Sequence, residues 1–332
     1  MAEIVAGIAS SHTPQLSTGT DLWHDHAERD KRNQRLLGLD AEFHAYDELL
    51  ATADPRIAAE LTAEAWQAKH QRAQEGVRRL GARLAAARPD IVVIYGDDQN
   101  EMFTDDGIPA FACFTGDRLA DWPPAGEELA KIPAGIRAAT WAAHGSERAE
   151  HLVSAELSRR VLEFLAESDF DVTRVGRQPA GRTLGHAFTF PRYRLGLPPS
   201  TPIMPVFINT YYPPNVPSAR RCYALGSAVR QAVESWDSGA RVAVIASGGL
   251  SHFVVDEELD RRVLAGIERD DPVVLGSLTR RQLRSGTSEI LNWIAAAGTL
   301  RGLRAEVIDY VPGYRTPAGT GAGMAFVSWA GR

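Results

Sequence analysis

Arg241-Val-Ala-Val-Ile-Ala-Ser247, followed at once by Gly248-Gly249-Leu250-Ser251-His252-Phe253, is the stretch on which the fold reading turns. The first half is a short apolar run rich in β-branched residues, which reads as a buried strand. The glycines end it in a tight turn and let the backbone approach a ligand closely. A serine and a histidine then follow at the strand's end. In open α/β sheets, that is where ligands bind. Histidine is also the side chain most readily used as an acid or base near neutral pH. The competing reading of His252 is a loop histidine satisfied by a hydrogen bond.

Other segments repeat the pattern. Ile4–Ala9 reads as a strand running into Ser10-Ser11-His12-Thr13-Pro14. Ile91–Tyr95 is a second strand and ends in Gly96-Asp97-Asp98-Gln99-Asn100-Glu101. Ile203–Asn209 is another, leading into Thr210-Tyr211-Tyr212-Pro213-Pro214-Asn215. A short strand is expected over Asp171–Arg174. Helical spacing covers Leu61–Arg88, with Pro89 as its stop signal, and also Ala149–Glu167, Ser218–Trp236, Glu257–Arg269 and Ser288–Ala297. Residues 21–50 are charged and partly helical, and the Pro/Gly-rich patch around Gly107–Pro133 reads as a loop region. Strands alternating with helices predict an α/β fold with a central mixed sheet flanked by helices. The chain reads as a single catalytic domain over residues 1–332, with a helical N-terminal insert over 20–75 that is a candidate lid.

The strand ends share one trait. His12, the Asp97–Glu101 cluster, Asn209 and His252 are all polar, and four polar strand ends on one sheet predict one cleft. Ser285-Gly286-Thr287-Ser288-Glu289 adds a carboxylate at the first turn of a helix. Helix capping is the plain reading of such a residue.

Composition narrows the function class. With 332 residues, 44% hydrophobic and 23% charged, the chain has the make-up of a globular protein. Its formal charge is −6 and it has no basic block, which argues against a nucleic-acid partner. The two cysteines, Cys113 and Cys222, lie far apart and form no CxxC pair, which suits a reducing cytosol. No signal-peptide pattern opens the chain, and no stretch of ~20 apolar residues is present to span a bilayer. A cytoplasmic protein with no membrane partner is the expectation.

Six stretches taken together resemble a known family. They are Gly7-Ile-Ala-Ser-Ser-His12-Thr-Pro, Asn209-Thr-Tyr-Tyr-Pro-Pro-Asn215, Arg221-Cys-Tyr-Ala-Leu-Gly226, Ser247-Gly-Gly-Leu-Ser-His252-Phe, Ser285-Gly-Thr-Ser-Glu289-Ile-Leu-Asn-Trp293 and Ala318-Gly-Thr-Gly. In this order they resemble the class III extradiol ring-cleavage dioxygenases, typified by the catalytic subunit of protocatechuate 4,5-dioxygenase. The resemblance is nearest to the single-chain branch that acts on 3-O-methylgallate and gallate.

The resemblance implies a non-haem Fe(II) site built from two histidines and a glutamate. It places the first iron histidine on His12, the glutamate on Glu289, the acid–base histidine on His252 and a further active-site histidine on His186. The second iron histidine is where this chain departs. The family's Asn-Asp-His triplet aligns with Asp97-Asp98-Gln99, so Gln99 takes the ligand position. An amide oxygen is a harder and weaker Fe(II) ligand than an imidazole. Asp98, Glu101, His44 and His70 are the other candidates for that place.

The implied reaction is ring opening of a catecholic substrate of gallate, 3-O-methylgallate or protocatechuate type. The diol chelates the iron, His252 takes a hydroxyl proton, and O2 enters the remaining position. Tyr211 or Tyr212 would hydrogen-bond a substrate oxygen, a packed aromatic pair being the competing reading. Arg315, in the loop that runs to Thr320, is a candidate for a substrate carboxylate. Arg220 and Arg221 are others, and solvent exposure is the plainer expectation for each of the three. The partners implied are a small aromatic diol and O2, with a homodimer as the assembly. Two rivals stay open: a degenerate homologue without turnover, and a metal-dependent hydrolase on the same scaffold.

Overall fold

The structure is a computed structural model and describes residues 1–331. Nine strands form one sheet. In chain order they are β1 (Glu3–Ser10), β2 (Ile91–Gly96), β3 (Phe111–Phe114), β4 (Thr173–Val175), β5 (Ile203–Ile208), β6 (Arg241–Ser247), β7 (His252–Val254), β8 (Arg304–Tyr314) and β9 (Thr320–Ala330). Across the sheet the order is β7, β9, β1, β6, β2, β5, β3, β4, with β8 paired to β9.

The middle of the sheet is parallel. β1 pairs with β6, β6 with β2 and β2 with β5, all in the same direction. Parallel pairs need a crossover through a covering element, so both faces of these strands are buried. That is why they read as apolar runs and not as alternating ones. Val92, Val93, Ile94 and Tyr95 are all fully buried, but to opposite sides. Val93 and Tyr95 pack with the helices α1 (Ala155–Glu167), α2 (Ala219–Glu234), α3 (Glu257–Glu268) and α4 (Ile290–Thr299). Val92 and Ile94 pack with Val77 and Leu80 of the long helix Ala63–Ala87 and with Phe188. Each such side chain contributes roughly 1.5–3 kcal/mol through burial.

Register brings the carboxyl ends of the four parallel strands to one edge. Ser10 lies beside Ser247, Ala246 beside Tyr95, and Gly96 beside Phe207. The residues that follow those ends therefore share one rim of the sheet, as the polar strand ends predict.

Four local expectations need correction. The segment 107–133 is more than a loop: it holds β3, a second short strand Arg118–Asp121 and a helix Gly126–Lys131. Residues 149–152 form a strand paired with 118–121, and the helix begins only at Ala155, because Ser154 breaks the apolar period. The insert is mostly helical but also carries a two-stranded hairpin, Leu36–Leu37 with Phe43–His44. The C-terminal hairpin β8–β9 was not expected as strands. Its glycines mask the alternation, although β9 pairs with three neighbours.

The insert packs onto this frame through its aromatic residues. Trp23 and Trp66 are buried against each other with ring centroids 5.6 Å apart. Trp66 Nε1 donates to the Tyr314 carbonyl at 3.1 Å, and Lys69 Nζ to the Pro312 carbonyl at 2.7 Å. Among the described residues no helix is long and apolar enough to cross a membrane.

Candidate active site

The carboxyl edge of the parallel strands opens into a cavity of about 320 Å³. His12, Gln99, His186, Tyr211, His252 and Glu289 all face it. Glu289 is the hub. It closes the turn Ser285–Glu289 and starts α4, so the carboxylate is carried inward and not out to solvent. One oxygen accepts the Gly249 N–H at 2.6 Å and lies 3.2 Å from His12 Nε2 and 4.0 Å from His252 Nε2. The other accepts the Tyr211 hydroxyl at 3.1 Å. Burial by itself would raise this carboxyl's pKa. The His252 and His12 imidazoles and the Gly249 N–H outweigh it and hold the group well below the usual carboxylate range.

The two strand-end histidines are oriented by what their Nδ1 atoms touch. His12 Nδ1 is hydrogen-bonded to Ser247 Oγ at 3.0 Å, which turns Nε2 toward Glu289. His252 Nδ1 lies 2.9 Å from the Leu250 carbonyl, which only accepts, so Nδ1 carries the proton. In the neutral ring Nε2 then has a free lone pair facing the cavity, which is the arrangement a proton acceptor needs. The glycines before it permit this fold. A Cβ on Gly249 would lie 1.9 Å from the His252 ring. The turn is anchored from below by Asp260, whose carboxylate accepts the Ser251 N–H at 2.8 Å and the Ser251 and Tyr310 hydroxyls at 2.7 and 2.8 Å.

The opposite side of the cavity floor is built around the Asp97–Glu101 turn. Asp98 accepts the backbone N–H groups of Met102 and Phe103, which occupies it with its own turn. Glu101 accepts both the N–H and the ring Nδ1–H of His186, at 2.9 and 2.7 Å. Gly185 makes room for that approach, since a Cβ there would stand 2.6 Å from Glu101 Oε2 and its φ is +96°. Burial lowers the proton affinity of His186, but the Glu101, Asp97 and Glu289 charges reverse this and push its pKa up to about 10. Asp97 is fully buried beneath the floor. It accepts from Asn292 Nδ2 and Gln99 Nε2, both at 3.2 Å. Burial and then the Glu289 charge raise its pKa above the ordinary value.

Several expected residues do not reach the cavity. His44 is paired with Asp40 and Glu48 in the insert, and His70 contacts Gln74 and Trp23. Neither lines the floor, so neither replaces the second histidine. Asn209 staples its own turn through Tyr212 and Asn215, and thereby presents Tyr211. Tyr212 sits against Tyr211, and Thr320 is hydrogen-bonded to Thr316; neither is among the lining residues. Arg315, by contrast, does line the cavity; it is buried, against the expectation of exposure, and is ion-paired with Asp30 at 2.8 Å. Arg220 and Arg221 lie on α2, with Arg221 stacked on Phe170, away from the floor.

The donor set fits a divalent cation. His12, Asp97 and His186 can each bring one ligand atom within 4.8 Å of the others. Glu289 adds a second buried carboxylate beside His12. Buried carboxylates this close together are costly unless a positive charge sits among them. Imidazole and carboxylate donors suit a first-row transition metal. A proton on Nδ1 of His186, held by Glu101, leaves Nε2 for that role, the usual way a carboxylate orients a metal-binding histidine. Sequence reading named Glu101 as an alternative ligand but assigned neither Asp97 nor His186 to the metal; the run of acids after a buried strand was the only signal.

Comparison with known proteins fits this geometry. Residues 55–325 match the family described as the catalytic LigB subunit of aromatic ring-opening dioxygenase. The chain belongs to that family. Among curated relatives, this LigB-family chain is 34% identical over 161 residues to a gallate dioxygenase of Pseudomonas putida, a match covering 44% of the chain and 45% of the relative. It is 29% identical over 192 residues to a 2,3-dihydroxyphenylpropionate/2,3-dihydroxicinnamic acid 1,2-dioxygenase of Paraburkholderia xenovorans, covering 56% of the chain and 52% of the relative. The LigB-family chain thus spans about half the length of the curated relatives it matches. Among solved structures, an uncharacterized protein, JW3007 of Escherichia coli K12, aligns over 98% of the chain and 99% of its own length, with 13% identity and a TM-score of 0.45.

Proposed function

We propose that this protein is a non-haem Fe(II) extradiol dioxygenase that opens the ring of a catecholic substrate with O2. Gallate, 3-O-methylgallate and protocatechuate are the substrate types the reading favours. The observation that carries it is the meeting of His12, Glu289 and His252 at one cavity, with His252 Nε2 turned into the cavity 4.0 Å from Glu289. LigB-family membership and relatives named as ring-opening dioxygenases support the same reaction class.

His12 and Glu289 would hold the metal from one side. On the other, Gln99 stands at the ligand position of its turn, and Asp97 and His186 are near enough to bring stronger donors. When bound, Fe(II) supplies open coordination positions for the diol and O2 and a path for electron density between them. His252 accepts a hydroxyl proton at Nε2 and is kept in the right tautomer by the Leu250 carbonyl. Where Asp97 and Gln99 supply the donors on that side, His186, tied to Glu101, is instead the second acid–base group at the cavity wall. Tyr211, already donating to Glu289, is placed to hydrogen-bond a substrate oxygen. Residues 20–75 cover the site as a lid on a single catalytic domain. The partners on this reading are the diol, O2 and a second copy of the chain, and the compartment is the cytosol.

The test is to load the purified protein with Fe(II) without oxygen, measure bound iron, and follow O2 uptake with gallate, 3-O-methylgallate, protocatechuate and catechol. Near-stoichiometric iron and a ring-opened product, lost in His252→Ala with iron retained, is the expected result. Bound iron with no uptake on any diol overturns the proposal. So does turnover supported by zinc without oxygen.

A further inference from the structure

Two guanidiniums reach the cavity from above the floor, and they are not equivalent. Arg315 is internally matched: it pairs with Asp30 at 2.8 Å and reaches the Gln15 amide oxygen and the Gly321 carbonyl, each at 3.4 Å. Arg29 lies one residue before Asp30, on the insert helix Trp23–Lys31, and lines the same cavity. It makes no ion pair and no side-chain hydrogen bond among the described residues. Its Cζ lies 6.0 Å from the centroid of the Phe253 ring, next to His252 in the chain. The one nearby carboxylate, Asp30, is already held by Arg315, so this end of the cavity carries a surplus positive charge.

A partly buried, unmatched guanidinium is a cost to the fold. Burial, and then repulsion from Arg315, lower the proton affinity of Arg29 below the ordinary arginine value, which is the same cost seen from the proton's side. A cation in the last turn of a helix suits the helix dipole. That accounts for a basic residue at this position, but not for its facing a cavity. Ile132, Ile136 and Phe190 also line the cavity and supply apolar wall for a ring. An aromatic ring with its diol at the floor would then find its matching charge at Arg29.

We propose that Arg29 is the specificity-determining cation of the site, selecting catechols that carry an anionic substituent, a carboxylate above all, over neutral ones. The assignment rests on the ring-opening reading above. The planar fork of arginine matches a carboxylate through two parallel hydrogen bonds, which lysine does not reproduce. Arg315 holds the insert helix in place through Asp30 and leaves Arg29 free for the ligand.

The experiment uses the full-length Fe(II)-loaded protein, with Arg29→Gln and Arg29→Lys beside the wild type. Protocatechuate and 4-methylcatechol, which differ by a carboxylate against a methyl group, are the paired substrates. Benzoate and benzamide, followed by calorimetry, report binding without turnover. Arg29→Gln is expected to raise KM for protocatechuate about 10- to 100-fold, the range for losing hydrogen bonds to a charged group. KM for 4-methylcatechol stays within about twofold, with Arg29→Lys in between for the acid. Benzoate binding weakens in parallel and benzamide binding does not.

Equal shifts for both substrates, or benzoate binding unchanged in Arg29→Gln, overturn the role of Arg29. Ring opening of 4-methylcatechol by the wild type at least as well as protocatechuate removes this inference and leaves the ring-opening reading standing. No turnover of these two or of gallate, 3-O-methylgallate and catechol removes the ring-opening reading, and the selection of catechols by Arg29 with it.

Discussion

The two sides of the cavity floor are built on different principles. On one side, His12, His252 and Glu289 are each fixed by backbone or by a short polar contact. These are Ser247 for His12, the Leu250 carbonyl for His252 and the Gly249 N–H for Glu289. On the other side, orientation comes from charge: Glu101 grips His186, and buried Asp97 collects Gln99 and Asn292. The first side keeps the residues the family pattern expects. The second lacks the expected histidine and offers a different donor set within reach. On the proposed reading, strand geometry holds one half of the metal site, and side chains from a loop and a distant helix supply the other.

The comparison breaks most easily at Glu289. Glu289→Gln keeps the shape but removes the charge that both His12 and His252 face. Fe(II) affinity should fall by at least about 100-fold, beyond the range seen when an orienting residue is lost, and O2 uptake with it. An anaerobic Fe(II) titration reads this directly. Stoichiometric iron in Glu289→Gln would mean the metal belongs to the Asp97 side alone, and the two-sided picture would fail.

Glu101→Gln sharpens the comparison with a smaller effect. Glu101 supplies the charge that holds a proton on His186 Nδ1, so its amide should weaken iron binding by about 10- to 100-fold, as expected for a carboxylate that orients a metal-binding histidine. Gln99→Ala is expected to lose less than that, because an amide oxygen is the weaker donor. The same titration orders the three variants. If Gln99→Ala matches Glu289→Gln, the amide is the principal third ligand and the Glu101–His186 pair is only a proton store.

The legible half of the site is the half made by strand ends. Apolar β-branched runs followed by Gly248-Gly249 or Ser10-Ser11 announce buried strands, and whatever follows them must lie on the carboxyl edge. The other half depends on contacts between segments remote in sequence. Glu101 and His186 are 85 residues apart, and neither local periodicity nor turn chemistry links them. Arg29 was hidden for a similar reason. A basic residue in a charged helix reads as solvated until packing turns that helix onto the cavity. Arg315 reversed the expectation because its partner, Asp30, sits in the insert, and no local pattern joins those positions. The C-terminal hairpin was missed because Gly313 and Gly321 are there for close strand approach and Gly323 makes room for Asp260, and in a sequence all three read as turns.

A last expected effect is on stability and not on metal binding, and it concerns the anchor beneath the fixed side. Asp260 is fully buried and accepts three hydrogen bonds, two from Ser251 and one from Tyr310. Burial pushes its pKa up to about 7, more than those bonds and the Tyr310 hydroxyl can offset. The folded protein therefore holds a proton on Asp260 that the unfolded chain releases near pH ~4. Between those limits the native state binds more protons, so this group's contribution is full at low pH and is lost as pH rises through about 7. Asp260→Asn removes that titration. Wild type minus variant stability, from denaturant melts at a series of pH values, should decline from pH ~5 to ~8 by on the order of a few kcal/mol, the linkage equivalent of a shift of this size. Parallel curves would show that the carboxylate stays ionised in the fold, with its three donors outweighing burial. The His252 turn would then rest on charge, as the Asp97 side does, and the contrast between the two sides would narrow to the strands alone.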